Sequence, residues 1–269
     1  MRMDKLIKVF ADTQEFCKTD PVLKEAVSYG MEHTKLYEAD EYPELPYTPD
    51  KLGLALTLNL KSFQAAVKFH KVMPEKKIAV LNFASPVNPG GGVLSGSMAQ
   101  EESLCRCSTL YPLIAQDWLK DRYYMPNRRA SDFRNTDTCI YSEGVLICKS
   151  DEELPERLSP EEFATVDVIT CAAPDLRKQK PSEYNANEDY ELHVSRAKHI
   201  MHTSALYGVD VLICGAFGCG AFRNDPEVVA MAWNEALKDY RRKFDYVVFA
   251  VYFREHEIGN FRAFNERIE

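Results

Sequence analysis

From residue 52 onward, short apolar runs alternate with segments of helical period, and this alternation restricts the fold more than any other feature of the chain. "LGLALTLNL" (52–60) reads as a strand and "KSFQAAVKFHKV" (61–72) as a helix. "KKIAVLNFA" (76–84) is a strand. "SMAQEESLCRCSTLYPLI" (97–114) begins as a helix, with Ser97 and Gln100 at capping-box spacing. "CIYSEGVLIC" (139–148) and "TVDVITCAAP" (165–174) read as strands, the second continuously apolar and so central. A helix over 190–208, closed by Gly208, precedes the buried strand "VDVLICGAF". A helix beginning at Pro226 precedes a last strand, "FDYVVFAVYF". The pattern predicts an α/β fold with a mixed, mostly parallel sheet between helices.

The first fifty residues follow a different pattern. Segments 4–18 and 21–31 read as amphipathic helices, with Asp20–Pro21 as a helix-start signal. Segment 40–51 holds three prolines and is expected to be irregular. Segment 120–140 is polar and reads as a loop. The expected organisation is an N-terminal helical extension (1–50) packing on a core domain (51–269).

Composition removes several classes of function. Apolar residues make up 45% and charged residues 28%, an ordinary globular balance. The net charge of −8 argues against general nucleic-acid binding, which needs a basic face. No run approaches the length of a membrane span, and the start of the chain lacks a secretion signal. The eight cysteines sit mostly in apolar runs, which fits reduced thiols and a cytoplasmic location.

Two glycine-rich turns follow apolar strands, Gly90–Gly92 and the stretch "GAFGCGAF" (215–222). In α/β folds, ligands sit beyond the carboxyl ends of the strands, so two such turns at one edge suit two phosphates. Neither turn is a P-loop or a dinucleotide fingerprint, and a tight connection is an equally simple reading of the first. Glu101 and Glu102 lie just beyond it. They are either a solvated first helical turn, where acids favour the dipole, or a pair with divided roles, since neighbouring helix residues point about 100° apart. Cys105 and Cys107 lack metal-site spacing and read as structural thiols. His193, His199 and His202 share a helix without a metal pattern, and Cys219 has no histidine near it in sequence. Phe217 and Phe222 flank the second turn, better placed to stack on a ring than to fill a core.

"VLNFASPVNPGGGVLSGSMAQEE" resembles the signature of bacterial-type poly(ADP-ribose) glycohydrolases, a macrodomain branch in which a GGG loop precedes QEE by six to eight residues. Here the spacer is seven residues, Val93 to Ala99. "DVITCAAPDL", "LICGAFGCGAFRNDP" and "VVFAVYF" are similar to that family's later strands and second loop. The resemblance implies a macrodomain-like catalytic domain that cleaves the O-glycosidic ribose–ribose bond of poly(ADP-ribose) and releases ADP-ribose. It implies Glu102 as the catalytic group and Glu101 as the holder of ribose hydroxyls. It places substrate against Asn88, Gly90, Gly91, Gly92, Val93 and Gln100, and against Gly218, Cys219, Gly220, Ala221 and Phe222. Phe222 would pack beside the distal ribose. No metal and no cofactor are implied. The partners would be ADP-ribose, poly(ADP-ribose) or ADP-ribosylated protein, without membrane. The alternatives are a macrodomain module that binds ADP-ribose without cutting it, a mono-ADP-ribosyl hydrolase, and a generic nucleotide-binding α/β protein.

Overall fold

The computed structural model describes residues 2–130, 132–254 and 257–268. At its centre is a seven-stranded sheet. Its strands are β1 (Thr34–Tyr37), β2 (Leu54–Leu58), β3 (Ile78–Phe83), β4 (Cys139–Ile147), β5 (Ala164–Cys171), β6 (Val211–Cys214) and β7 (Tyr246–Ala250). They lie in the order β1-β4-β5-β3-β6-β7-β2. The run from β5 to β2 is parallel, and β1 and β4 are antiparallel additions at one side. The three most apolar runs of the sequence become β3, β5 and β6, which pair side by side at the centre. Buried on both faces, they need no polar alternation.

Helices cover both faces, with a separate apolar core on each. They are α1 (Arg2–Thr19), α2 (Pro21–Glu32), α3 (Ser62–Val72), α4 (Gln100–Cys107), α5 (Leu110–Ile114), α6 (Asp117–Leu119), α7 (Met125–Ala130), α8 (Ala186–Leu206), α9 (Pro226–Tyr240) and α10 (Gly259–Arg267). Asp20 caps α2, accepting from the N–H groups of Val22 (3.0 Å) and Leu23 (3.1 Å), with Pro21 at the first helical position.

Three features depart from the sequence reading. Thr34–Tyr37 is a strand paired with β4, so the first fifty residues contribute to the sheet as well as to its cover. The polar stretch from residue 120 is helical as far as Ala130, because Tyr123 and Tyr124 are buried with Leu119 and Ile140. Its polarity hid that burial. A helix, α10, follows the last strand and buries Ala263 and Phe264. The proline-rich segment has no regular structure, as expected, but α8 fixes it. His199 and His202 contact the carbonyls of Glu41 (3.1 Å) and Pro43 (2.8 Å) through Nε2.

Helix α1 buries Leu6, Phe10, Thr13 and Cys17, and Thr13 Oγ1 donates to the Arg106 carbonyl of α4 at 2.6 Å. The Lys149 ammonium is buried under α1, where it donates to the Val9 carbonyl (2.9 Å) and pairs with Asp12 (2.7 Å). Arg157, followed by Lys149, holds the Asp12 carboxyl down at about 2. That contribution is present above the ordinary value of 3.8 and is lost as pH falls towards about 2. Lys149→Met keeps the stem and removes the charged donor. It is expected to lower the unfolding free energy at neutral pH by about 1–3 kcal/mol, and the difference from wild type should narrow in acid. Denaturant titrations across that pH range check both statements.

Candidate active site

Both glycine turns leave the carboxyl ends of adjacent strands, the first after β3 and the second after β6. In the first, Gly91 has φ +57°, and a Cβ there would lie 2.6 Å from Glu102 Oε1 and 3.0 Å from Glu101 Oε2. Only glycine allows the turn to close on the glutamates.

Helix α4 starts at Gln100, and its cap residue, Ala99, offers no side-chain bond. The expected Ser97–Gln100 capping box therefore does not form. The end of β3 offers Gln100 nearer partners: Oε1 accepts from Phe83 N–H (2.9 Å), and Nε2 donates to the Leu81 carbonyl (2.7 Å) and Ser62 Oγ (3.0 Å). Gln100 thus fastens the helix start to the strand.

The glutamate pair is not a solvated first turn. Glu101 is 3% exposed and Glu102 7%. Glu101 Oε1 accepts from Gly90 N–H (3.2 Å) and Asn82 Nδ2 (3.3 Å), and its Oε2 accepts from Ser85 N–H (2.7 Å). Glu102 Oε1 accepts from Gly92 N–H (2.9 Å), while its Oε2 is buried without a hydrogen-bond partner. One carboxylate is engaged through both oxygens. The other keeps one oxygen free in the wall of a cleft.

Burial raises the Glu101 carboxyl to about 8, opposed by Ser85 N–H, helped by the neighbouring Glu102 charge, and opposed again by Asn82 and Gly90. Two residues around the pair carry no motif in the sequence. Asn82, fully buried, also donates to Thr170 Oγ1 (3.2 Å); its signal was a lone polar side chain inside an apolar strand. Arg106, 3% exposed and one turn after Glu102, donates from Nη1 to the Ser97 carbonyl (2.6 Å) and has an unpartnered Nε. Burial lowers its pKa.

In the second turn, Gly218 has φ +77°. Phe217 borders the cleft but is 1% exposed and packed edge-on against Phe83 at 5.6 Å, so its ring belongs mainly to the core. Phe222 is half-buried and lines the cleft, with the Arg177 guanidinium 4.9 Å from its ring centre. Burial, with Asp189 and Asp225 nearby, pushes the Cys219 thiol well up, which leaves it a poor nucleophile.

The cleft between the turns has a volume of about 1200 Å³, somewhat above the usual range of small-molecule sites. Of the residues expected to bind substrate, Asn88, Gly91, Gly92, Gln100, Gly218, Gly220, Ala221 and Phe222 line it together with both glutamates. Gly90 and Val93 are buried behind the first turn, and Cys219 packs against the core behind the second. Asn88 is tied to Arg128 (2.8 Å). Leu6 and Arg2 bring α1 to the same cleft. Among the described residues, no group of three or more His, Cys, Asp or Glu could hold a metal ion.

Two measurements probe this geometry. The folded chain holds a proton on Glu101 that the unfolded chain releases above about 4.5. Stability of the free protein should therefore fall as pH rises from about 4.5 to about 8, and Glu101→Gln should flatten that slope. Gly91→Ala forces a non-glycine residue into the left-handed region and pushes the carboxylates apart. It should cost at least about 1–2 kcal/mol of unfolding free energy; an unchanged denaturation midpoint would mean that the turn is free to relax.

The family model for the microbial-type PARG catalytic domain matches residues 10–150, just over half of the chain. A search of curated proteins gives no match. The poly(ADP-ribose) glycohydrolase of Thermomonospora curvata superposes with a TM-score of 0.87 at 28% identity, covering 98% of this chain and 100% of the other. The same enzyme bound to the inhibitor ADP-HPD gives a TM-score of 0.85 at 28% identity, covering 98% and 99%. The Deinococcus radiodurans enzyme in complex with ADP-ribose gives 0.78 at 28% identity, covering 90% and 96%. With the paired glutamates and two facing glycine turns in one cleft, these matches establish that the chain belongs to the microbial-type poly(ADP-ribose) glycohydrolase family and is a glycosidase.

Proposed function

We propose that the chain hydrolyses the O-glycosidic ribose–ribose bond of poly(ADP-ribose), with Glu102 as the group that transfers the proton. The observation that carries this reading is the unpartnered Glu102 Oε2, buried in the wall of a cleft bounded by two glycine turns. The ADP-ribose complexes of the related bacterial enzymes support the choice of ligand. On this reading the diphosphate lies between Gly90–Gly92 and Gly218–Phe222, and the distal ribose points at the glutamates. Cleavage needs a proton on the leaving oxygen and stabilisation of an oxocarbenium-like transition state. The one proton the carboxyl pair shares passes through Glu102 Oε2 to the leaving oxygen, and the Glu102 carboxylate so formed then takes one from the attacking water. Gly92 N–H holds the other oxygen, so the free one keeps its direction.

Glu101 takes a different part. Three N–H donors bind its carboxyl, which makes it the post around which the first turn is built, and Oε2 has room for one ribose hydroxyl as well. Its raised pKa leaves the pair with less than two full negative charges at neutral pH, which eases the approach of an anionic ligand. Phe222 is the aromatic surface beside the distal ribose. The free cysteines, all buried but Cys219, support a cytoplasmic location. No described helix is long and apolar enough to cross a membrane. ADP-ribosylated protein is the second substrate class this cleft would admit.

Glu102→Gln keeps size and polarity but cannot give up and retake a proton. It should retain ADP-ribose binding and lose about 10²- to 10⁴-fold in turnover of poly(ADP-ribose). Release of ADP-ribose from the polymer, with calorimetric binding of ADP-ribose alongside, separates the outcomes. Near wild-type turnover in that variant would remove Glu102 from the chemistry. A wild type that binds ADP-ribose and cleaves neither polymer nor mono-ADP-ribosylated protein would make this a binding module.

A further inference from the structure

The second glycine turn is held from behind by a side chain outside the cleft wall. Asn224 is 2% exposed, and its Nδ2 donates both to the Pro174 carbonyl (2.8 Å) and to the Gly218 carbonyl (3.0 Å). Pro174 belongs to the loop after β5, and Gly218 to the turn after β6. Strand β3 separates those strands in the sheet, so no ladder bond joins them. One planar amide ties the two loops together, seconded by Leu176 N–H donating to the Phe222 carbonyl (3.0 Å). Both loops face the cleft, through Arg177 on one side and Gly218 to Phe222 on the other.

The amide has one workable orientation. Two carbonyl acceptors require Nδ2 between them, and Oδ1 then faces His193 Nε2 at 3.1 Å. The imidazole must therefore carry its proton on Nε2. His193 is 1% exposed and sits edge-on to Phe217 at 6.1 Å. Burial lowers its pKa to about 4, so it is a neutral donor. Were that donor lost, Nδ2 would keep its carbonyls but Oδ1 would be buried without a partner, and the amide would have to shift to find one. The turn leaves little slack for this, since a Cβ on Gly218 would meet Asn224 Nδ2 at 2.4 Å.

We propose that Asn224 is a positioning residue for the diphosphate half of the cleft, and that His193 acts through it by fixing its amide. The identity of the ligand rests on the function proposed above; the clamp itself rests on the hydrogen bonds just described. Because the clamp supports the second glycine turn and the loop beside it, not the first turn, its loss should weaken ADP-ribose and leave adenosine, which has no diphosphate, unaffected.

The test compares ADP-ribose and adenosine affinities with poly(ADP-ribose) turnover, well below the melting temperature of each variant. Asn224→Ala and Asn224→Asp should weaken ADP-ribose about 10-fold or more, the range of one or two lost buried hydrogen bonds. Adenosine affinity should not change. His193→Phe keeps the ring packing and removes the donor, and it should reproduce the loss. His193→Gln offers an N–H again and should recover most of the affinity and turnover. If the Asn224 variants do not fold, the two His193 variants carry the test. Equal weakening of both ligands, or no recovery in His193→Gln, would reduce the cluster to packing and overturn the proposal. Variants that bind and cleave like wild type would overturn it while leaving the glycohydrolase reading intact. A wild type that neither binds ADP-ribose nor cleaves its polymer would remove both.

Discussion

The site depends on bonds that the two glutamates make to the backbone of their own approach loop. Residues 85 to 92 would otherwise be a flexible stretch with three glycines in a row. Glu101 gathers the N–H groups of Ser85 and Gly90, and Glu102 that of Gly92. Each such bond contributes about 0.5–1.5 kcal/mol, and more where the acceptor is charged. Carboxylate and loop therefore order one another. The glycines are needed for this closure as much as for any ligand, because Gly91 leaves no room for a side chain against either carboxylate. Gln100 completes the unit by fastening the helix that carries the glutamates to the strand that delivers the loop.

That unit is supported from outside the sheet. Helix α1 bonds to α4 at Arg106 through Thr13, and Lys149 holds α1 down through Val9 and Asp12. The Arg106 side chain reaches back to Ser97, within the spacer between glycines and glutamates. The first helix of the chain is thus two hydrogen bonds from the spacer that sets where the glutamates lie, and through Arg2 and Leu6 it also lines the cleft. A helix without a recognisable motif is bonded into the frame of the site.

Much of this was legible in the sequence, and what was hidden has a consistent physical origin. The continuous apolar runs revealed the central strands because burial on both faces leaves no other pattern. The glycine turns after two of them marked the ligand edge. Long-range satisfaction of polar groups was not legible. Gln100 sits at capping-box spacing yet bonds to a strand, since local spacing carries no information about which strand end lies beside the helix. Phe217 and Phe222 look alike around the second turn, and only the fold shows that the first is packed into the core and the second stands half-exposed in the cleft. Tyr123 and Tyr124 lie in a polar stretch whose composition does not show that these two rings reach the interior. Asn82 and Asn224 each have partners that lie far along the chain, Thr170 for one and Pro174 for the other, so their importance emerges only with the fold.

The net charge of the chain bears on the chemistry proposed for it. A protein at −8 that handles an anionic polymer gains little from long-range attraction and must rely on short-range contacts at the site. Glycine turns suit this, because their backbone dipoles approach a diphosphate closely without adding a mobile charge. They also suit the catalytic step. A lysine or arginine in the turns would stabilise the diphosphate but oppose the positive charge that grows on the ribose as the bond breaks. A neutral cradle leaves the diphosphate's own negative charge near that cation, where it favours the transition state over the ground state. The cradle must then be held rigid from behind, and the buried amide of Asn224 and the carboxyl of Glu101 do this, one for each turn.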